Sequence, residues 1–568
     1  MQTALGTPQA EVIRHTAPEP FDAVPIIVGI SGHRDIPAYA EENLGNRFAG
    51  VLTELRTDYP DTPLLVLTSL AAGADLIAAE TAARLGIPIV AVLPKAAAQF
   101  EDDFDEAGRI RFRSALARCR EVIVAESPPG APHRYVAASS YIAYYAHIVV
   151  AFWDGESNGG PGGTADMVRL RLSGISAGFV QSAIPYVPDV GPVYQIVSPR
   201  ATQPEPPRSY RLIRRYPQRY RGDRSAARDF QAALSNLNRY NRDLATIPQP
   251  QCRDRLEAIG DRTSAIADRL QSASLRSTSW TYIWALLAGA AQAVEFGFPG
   301  VVLKLLILAI AFAIFIRARR ADFENRYQDY RALAEALRVQ RAWCCAGMRD
   351  RPVEASYLRM QHGELQWIRL ALRTVFLEFG GRNAIEGAGP SHPHCLEWLR
   401  SQRAYYLRAG ARELRYKQRL ARAATVSSAV ALVVVAAAAV PLALQFVQQS
   451  DVVHRWLPSI HVALDLRWVA QNQRLVTNLA GVPLALAGLI ALLGRFYGEQ
   501  RGFSENARRY QHMYVVFDYG LRRMHQIQKY GKGGDAPALL EQIGREALTE
   551  HANWLILHRE RPFTFVHT

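Results

Sequence analysis

The stretch IIVGISGHRD, residues 26–35, carries five residues of an apolar, largely β-branched run straight into Ser31, Gly32, His33, Arg34 and Asp35. Residues of that kind suit a strand buried on both faces, and the small and polar group that follows suits a turn at its carboxyl end. The same arrangement recurs. Leu64–Thr68 leads into Ser69-Leu-Ala-Ala-Gly-Ala-Asp75, Ile89–Leu93 into Pro94-Lys95, Glu121–Ala125 ends near a proline-rich stretch, and Ile148–Phe152 leads into Trp153-Asp154-Gly155. Between these runs the apolar spacing turns helical over Arg47–Asp58, Asp75–Leu85, Ala107–Arg118, Tyr135–Tyr145 and Thr164–Leu172. Strictly alternating strands and helices predict an α/β domain with a parallel sheet covered on both faces.

Sheets of that kind bind ligands outside the carboxyl ends of their strands. The residues expected there are Ser31, Gly32, His33 and Arg34; Ser69, Ala71, Gly73, Ala74 and Asp75; Pro94; and Asp154 with Gly155. A glycine-rich run from Gly159 to Gly163 then opens the last helix at Thr164. Glycine lets an anion approach backbone amides, and a helix N-terminus adds oriented donors, so Gly162, Gly163 and Thr164 are the expected phosphate cradle.

The whole chain has 568 residues and an excess of basic over acidic side chains of 14. That length calls for more than one folding unit. The first 175 residues are acidic on balance, so the positive charge sits in the part that also holds the longest apolar runs. Such a placement favours a lipid surface over nucleic acid as the partner. Five scattered cysteines make no secreted disulfide framework, and the first 23 residues lack the apolar core of a signal peptide and are expected to be a loose tail. His392, His394 and Cys395, with Cys344 and Cys345, fit no zinc spacing, so no metal site is expected.

Four stretches approach the roughly 20 apolar residues that a spanning helix needs: Ser279–Glu295, Pro299–Ile316, Ala424–Phe446 and Val476–Gly494. They pair into two hairpins. Arginines and lysines follow the second span, precede the third and follow the fourth, which puts the soluble domain and both termini in the cytoplasm. Glu295 and Lys304, ionisable residues beside the first hairpin, are the candidate pore groups. After each hairpin the chain repeats itself at an offset of 180 residues. Phe323, Tyr327, Tyr330, Ala334 and Leu337 fall on Phe503, Ala507, Tyr510, Tyr514 and Phe517, a coiled-coil-like stripe. The expected organisation is a tail to 23, an α/β domain over 24–198, a Pro/Arg-rich irregular linker over 199–250, and two units of hairpin plus cytoplasmic helices over 251–388 and 389–568. A final amphipathic helix, Ile543–Pro562, is expected to pack by Leu548, Trp554 and Leu557.

The strand ends SGHRD, SLAAGADLIAAETAARLG, VLP and WDG, followed by GGPGGTADMV, resemble the SLOG superfamily, the Rossmann-like nucleotide-binding group named for the SMF/DprA and LOG proteins. The resemblance covers about residues 24–198 and implies a bound nucleotide or nucleotide-derived signal, with no other cofactor. LOG-type phosphoribohydrolases carry PGGxGTxxE, and the position of that catalytic glutamate is Met167 here. A thioether cannot serve as a general base, so the resemblance implies binding without catalysis and assigns no catalytic residue; Asp166, one residue earlier, Asp75 and Asp154 are the alternative carboxylates. RYQDYRALAEALRVQRAW, through Tyr330, Arg331, Ala334, Glu335, Leu337 and Arg338, resembles the SLATT family of two-span membrane effectors; the second copy, with Tyr510, Gln511, Tyr514, Val515, Phe517 and Asp518, matches it more loosely. Together these imply a homo-oligomeric, nucleotide-gated pore or membrane-disrupting protein of a bacterial inner membrane, acting in defence against phage. A membrane-anchored nucleotide hydrolase or phosphoribohydrolase is the enzymatic alternative, and a lipid-anchored scaffold the structural one.

Overall fold

The computed structural model of the chain describes residues 10–13, 22–125, 134–156, 160–174, 190–203, 205–206, 208–217, 223–250, 255–292, 297–348, 351–358, 365–380, 392–449, 473–530 and 535–560. Its contacts divide into two units. The first combines Met1–Ile266, Asp329–Cys395 and Gly534–Ala552; the second combines Ala267–Gln328, Leu396–Gly533 and Asn553–Thr568. This interleaved division does not follow the breaks expected at 198, 250 and 388.

The first unit is built on an eight-stranded sheet: β1 (Ala10–Ile13), β2 (Ile26–Gly32), β3 (Leu64–Thr68), β4 (Ile89–Leu93), β5 (Glu121–Ala125), β6 (Ile148–Phe152), β7 (Val193–Ile196) and β8 (Leu212–Arg215). Their spatial order is β1-β5-β4-β3-β2-β6-β7-β8. The six inner strands are parallel, and the two edge strands run antiparallel to their neighbours. Helices α1 (Ala38–Asp58), α2 (Ala74–Arg84), α3 (Ala97–Phe100), α4 (Glu106–Ala117), α5 (Arg134–Tyr145) and α6 (Thr164–Ser173) connect or follow the strands. All seven residues of β2 but the last are buried, as are all five of β3, β4 and β6, which accounts for their unbroken apolar runs. Small residues allow the helices in. A Cβ on Gly29 would lie 2.7 Å from the Ala146 Cβ, and one on Gly32 only 2.3 Å from the Ala74 Cβ.

Two expectations give way at the sheet's edges. The tail contributes β1, paired with β5 from Ala10 opposite Ala125 to Ile13 opposite Val122. The Pro/Arg-rich stretch supplies β8 and then the 22-residue helix α7 (Asp223–Leu244), so it is not an irregular linker. On this edge strand Leu212 and Ile213 are half-buried and both arginines exposed, and the register with β7 meets the backbone groups that a proline-rich coil would leave open. α7 buries Phe230, Leu234, Leu237, Tyr240 and Leu244. Asn241 ties it to the sheet, accepting from the Val24 amide at 2.9 Å and donating to the Val24 carbonyl at 2.9 Å.

The first unit also takes in α10 (Phe323–Cys345) from Asp329 onward and α11 (Gln366–Val375). Tyr240, Tyr330 and Trp367 meet with ring centroids 5.4–5.8 Å apart. Phe376 joins the core under the sheet. A polar staple lies beside it. Arg373 donates to the Tyr144 carbonyl at 2.8 Å and approaches Glu354 at 3.3 Å; Arg369 reaches the same carboxylate at 3.4 Å, and the Tyr144 hydroxyl donates to it. His147, just before β6, accepts from the Ile27 amide through Nδ1 at 3.3 Å and shares a hydrogen bond with the Thr374 hydroxyl through Nε2 at 3.0 Å. Ile27 and His147 lie at the amino ends of their strands, so this staple sits opposite the carboxyl ends of the sheet.

The second unit is helical. Three helical runs among the described residues, Gly300–Cys345, Pro393–Val440 and Gly481–Tyr530, contain a window long and apolar enough to cross a membrane. The first expected span, Ser279–Glu295, begins within α8 (Arg255–Gln292), a single helix that continues its polar lead-in; residues 293–296 lie outside the described set. After α9 (Gly297–Ala321) come α12 (His392–Gln449), α13 (Gln473–Arg501) and α14 (Phe503–Tyr530). α12 runs unbroken from its Arg-rich lead-in into the third apolar segment. Leu305, Phe312, Leu432 and Val433 are each more than 60% exposed, an arrangement suited to lipid and costly in water.

The internal repeat is visible in the backbone. α9 ends at Asp322 with φ +51°, and α13 ends at Gly502, 180 residues later, with φ +60°. Arg326 donates to the Ala321 carbonyl, and its counterpart Asn506 to the Arg501 carbonyl. The same break is closed by the same bond. The two following helices nevertheless differ. From Tyr327 onward α10 is buried on nearly every side, whereas α14 buries Phe503, Asn506, Met513, Phe517, Gly520, Met524 and Ile527. Its stripe therefore passes through Asn506 and Met513 in place of Ala507 and Tyr514, the heptad spacing of a two-helix seam. Across it Tyr406 stacks on Phe517 at 5.5 Å, and Arg403 donates to Asp518 at 2.6 Å. In α15 (Asp535–Glu560) Leu548 is buried as expected, but Leu557 is exposed and Leu555 takes the buried position.

Candidate functional site

Strand order reverses between β2 and β6, and at such a switch point the loops diverge and open a crevice above the carboxyl ends. Gly32 pairs with Phe152 at that point. The Ser31 hydroxyl meets the Thr164 hydroxyl at 3.3 Å, which brings the first strand end to the glycine-rich helix start. The Ala74 amide donates to the His33 carbonyl at 3.1 Å and so joins the loops after β2 and β3. Gly73, at φ +76°, has no room for a side chain: a Cβ would lie 2.5 Å from the Arg34 carbonyl oxygen.

Asp75 is buried and accepts from the Ser69 hydroxyl at 2.7 Å. Burial raises its carboxyl above the ordinary value, opposed by that bond and by the Ala71 amide. Its carboxylate thus staples the loop together. Arg34 lies over the Tyr135 ring at 4.9 Å, Tyr135 donates to Asp103, and Lys95, beside the buried Pro94, pairs with Asp103 at 2.8 Å. This exposed chain of contacts links the β2 loop to the end of β4.

The glycine-rich loop is held from two sides. The Gly162 amide donates to the Asp166 carboxylate at 3.0 Å, and Ser139 donates to the Gly162 carbonyl at 2.6 Å. Gly162 has φ +78°, and a Cβ there would come within 2.8 Å of the Val136 nitrogen. Gly163 caps α6 in extended backbone without a side-chain cap. Amides in the first turn of a helix have no intrahelical acceptor, so those of Thr164 and Ala165 are placed to meet an anion. Met167, at the position of the glutamate in the resembled hydrolases, is 2% exposed and belongs to the hydrophobic core.

At the end of β6 the Asp154 amide donates to His33 Nε2 at 3.1 Å. His33 is thereby an acceptor and neutral, and burial lowers its pKa despite the adjacent Asp154 carboxylate. Asp35 receives Arg200 at 3.0 and 3.1 Å and Thr202 at 2.6 Å. Arg200 and Thr202 follow β7 and were not among the expected site residues. Their only signal was the apolar run VYQIV ahead of them. The structure therefore gathers the loops after β2, β3, β6 and β7 with the start of α6, and links the β4 loop through Arg34 and Tyr135. Of the candidate pore groups, Glu295 lies outside the described residues and Lys304 is partly exposed on α9. No group of three or more metal-ligating side chains occurs among the described residues.

No protein-family model matches the chain, and no curated protein matches it. Among solved structures it is similar to DNA processing protein A (DprA) from Streptococcus pneumoniae, at 19% identity and a TM-score of 0.17. That similarity covers 22% of this chain and 41% of the other.

Proposed function

We propose that the chain is a nucleotide-responsive membrane effector: the α/β domain binds a nucleotide or nucleotide-derived signal at the switch point, and the apolar helices answer by perturbing or permeating the bilayer. The observation that carries this reading is the convergence of the β2, β3 and β6 loops on the open N-terminus of α6, in a chain that also holds three helices of membrane-spanning length. The SLOG and SLATT resemblances of the sequence supply the biological setting, a bacterial inner membrane and defence against phage. Trp280, Ile283 and Leu287 present an exposed apolar face near the end of α8, which favours a fourth span and two complete hairpins. Four helices rich in Ala, Gly and Val pack closely and leave no wide aqueous path inside one chain, so several chains pool their hairpins.

The test is calorimetry on the full-length protein in nanodiscs, with AMP, ADP-ribose and a cyclic dinucleotide as probes. Gly163 lies in ordinary extended backbone, so Gly163→Trp obstructs the cradle without straining the turn. At least one probe is expected to bind the wild type and to lose more than about tenfold in affinity in the variant, with an unchanged melting temperature. Equal affinity in both proteins moves the phosphate away from α6. The hydrolase reading has one observation in its favour, a buried Asp154 carboxylate oxygen without a hydrogen-bond partner. Turnover of any probe by the wild type, absent in Asp154→Asn, would establish it instead.

A further inference from the structure

Asp154 and its neighbours are held by three hydrogen bonds that leave one Asp154 carboxylate oxygen without a hydrogen-bond partner. Its amide donates to His33 Nε2, its Oδ1 accepts from the Glu156 amide at 2.9 Å, and the preceding Trp153 indole donates to the Glu156 carbonyl at 2.8 Å. The carboxylate is therefore fixed in orientation before any ligand arrives. Its side chain is 6% exposed, and Oδ2 is buried without a hydrogen-bond partner. The Arg200 guanidinium is 3.8 Å from that oxygen, beyond hydrogen-bond range, and is drawn aside by its bidentate pairing with Asp35. A buried carboxylate oxygen left unpaired costs more than a satisfied one, so this atom is suited to receive a donor from outside.

Charge decides which donor. A phosphate oxygen is repelled by the carboxylate, and Arg200, between Asp35 and Asp154, already supplies the cation of this corner. A neutral hydroxyl meets neither obstacle. We infer that Asp154 Oδ2 is a sugar-hydroxyl acceptor, and that the site takes a ligand carrying a phosphate and, within one sugar's reach of it, a free hydroxyl. A chain of contacts connects the two: Asp154 contacts His33, His33 is two residues from Ser31, and Ser31 touches Thr164 at the α6 N-terminus. The inference rests on the proposed nucleotide reading and assigns to Asp154 a specificity that the glycine-rich loop cannot supply, since amides at a helix start accept any small anion.

Full-length protein in nanodiscs is titrated with methyl phosphate, which has the anion alone, and with ribose 5-phosphate. Ribose 5-phosphate is expected to bind roughly 10- to 100-fold more tightly, the effect of one hydrogen bond to a charged group. Asp154→Asn is expected to abolish that advantage while methyl phosphate binding stays the same. Equal affinity of the two probes for the wild type, which needs no variant to fold, overturns the inference. So does an equal loss of both probes in Asp154→Asn, which would make Asp154 a purely structural loop anchor. Failure of both probes to bind wild type at any concentration defeats the nucleotide reading itself.

Discussion

Replacing Glu354 with alanine is expected to cost about 3–5 kcal/mol, the penalty for leaving buried cations without their counterion. The side chain is 1% exposed and lies against Arg373 and Arg369, which are 3% and 8% exposed. Arg373 keeps its bond to the Tyr144 carbonyl and its place over the Tyr144 ring at 4.6 Å, so the guanidinium cannot simply swing into water. The first unit should therefore melt on the order of 10 °C lower in a thermal-shift measurement on detergent-solubilised protein. Joint replacement of Glu354, Arg369 and Arg373 by apolar residues of similar volume should restore much of the loss, because the cost lies in the unpaired charges. An unchanged melting temperature for Glu354→Ala would mean that α11 does not rest on this staple.

A second large effect is acid sensitivity from His147. Its Nδ1 accepts from a backbone amide and Thr374 donates onward to the Leu370 carbonyl, so the neutral ring satisfies every partner. A second proton would leave two donors facing each other. Burial first, and Arg373 next, push the imidazole down to about 3. A base with a lowered folded-state pKa stabilises fully above its ordinary value near 6.5, and that contribution is lost as pH falls from there toward 3, by at most about 1.4 kcal/mol per unit. Glu378 acts in the opposite sense. Burial raises its carboxyl to about 7 against the pull of Arg120 at 3.1 Å, so its contribution is full below about 4.5 and lost as pH rises through 7. His147→Gln keeps a donor for Thr374 but cannot take up a proton. The wild type should lose stability relative to this variant between pH 6.5 and 4.5, measured by chemical denaturation at each pH. Parallel pH profiles would place the acid-sensitive group elsewhere.

Much of the sheet was legible because burial on both faces leaves a plain record. β3, β4, β5 and β6 begin and end where their apolar runs do, and the helices between them start within a residue of their expected limits, except α1, which begins at Ala38 and not Arg47. The edges were not legible. LIRR in β8 reads as a charged coil, because an edge strand needs few apolar residues and its pairing with β7 is a long-range event. Nor could any local pattern show that Phe376 belongs to the sheet's core or that Glu354 meets Tyr144, a partner 210 residues earlier. In the site, the small and polar strand ends were readable one by one. Arg200 was not, since an arginine after a short strand looks like any surface charge until Asp35 and Asp154 are seen around it. The repeat shows the same division: the 180-residue offset survives in the Asp322 and Gly502 breaks, while the burial of α10 on nearly all sides depends on partners far along the chain.

Coupling between the switch-point site and the apolar helices is the core of the proposed function. The most direct measurement is ion flux from liposomes containing purified full-length protein, recorded before and after adding whichever nucleotide probe binds in calorimetry. Flux should begin only with the nucleotide present, and Gly163→Trp protein should stay closed at the same concentration. Liposomes that remain tight at saturating nucleotide, with binding confirmed on the same preparation, would contradict the account.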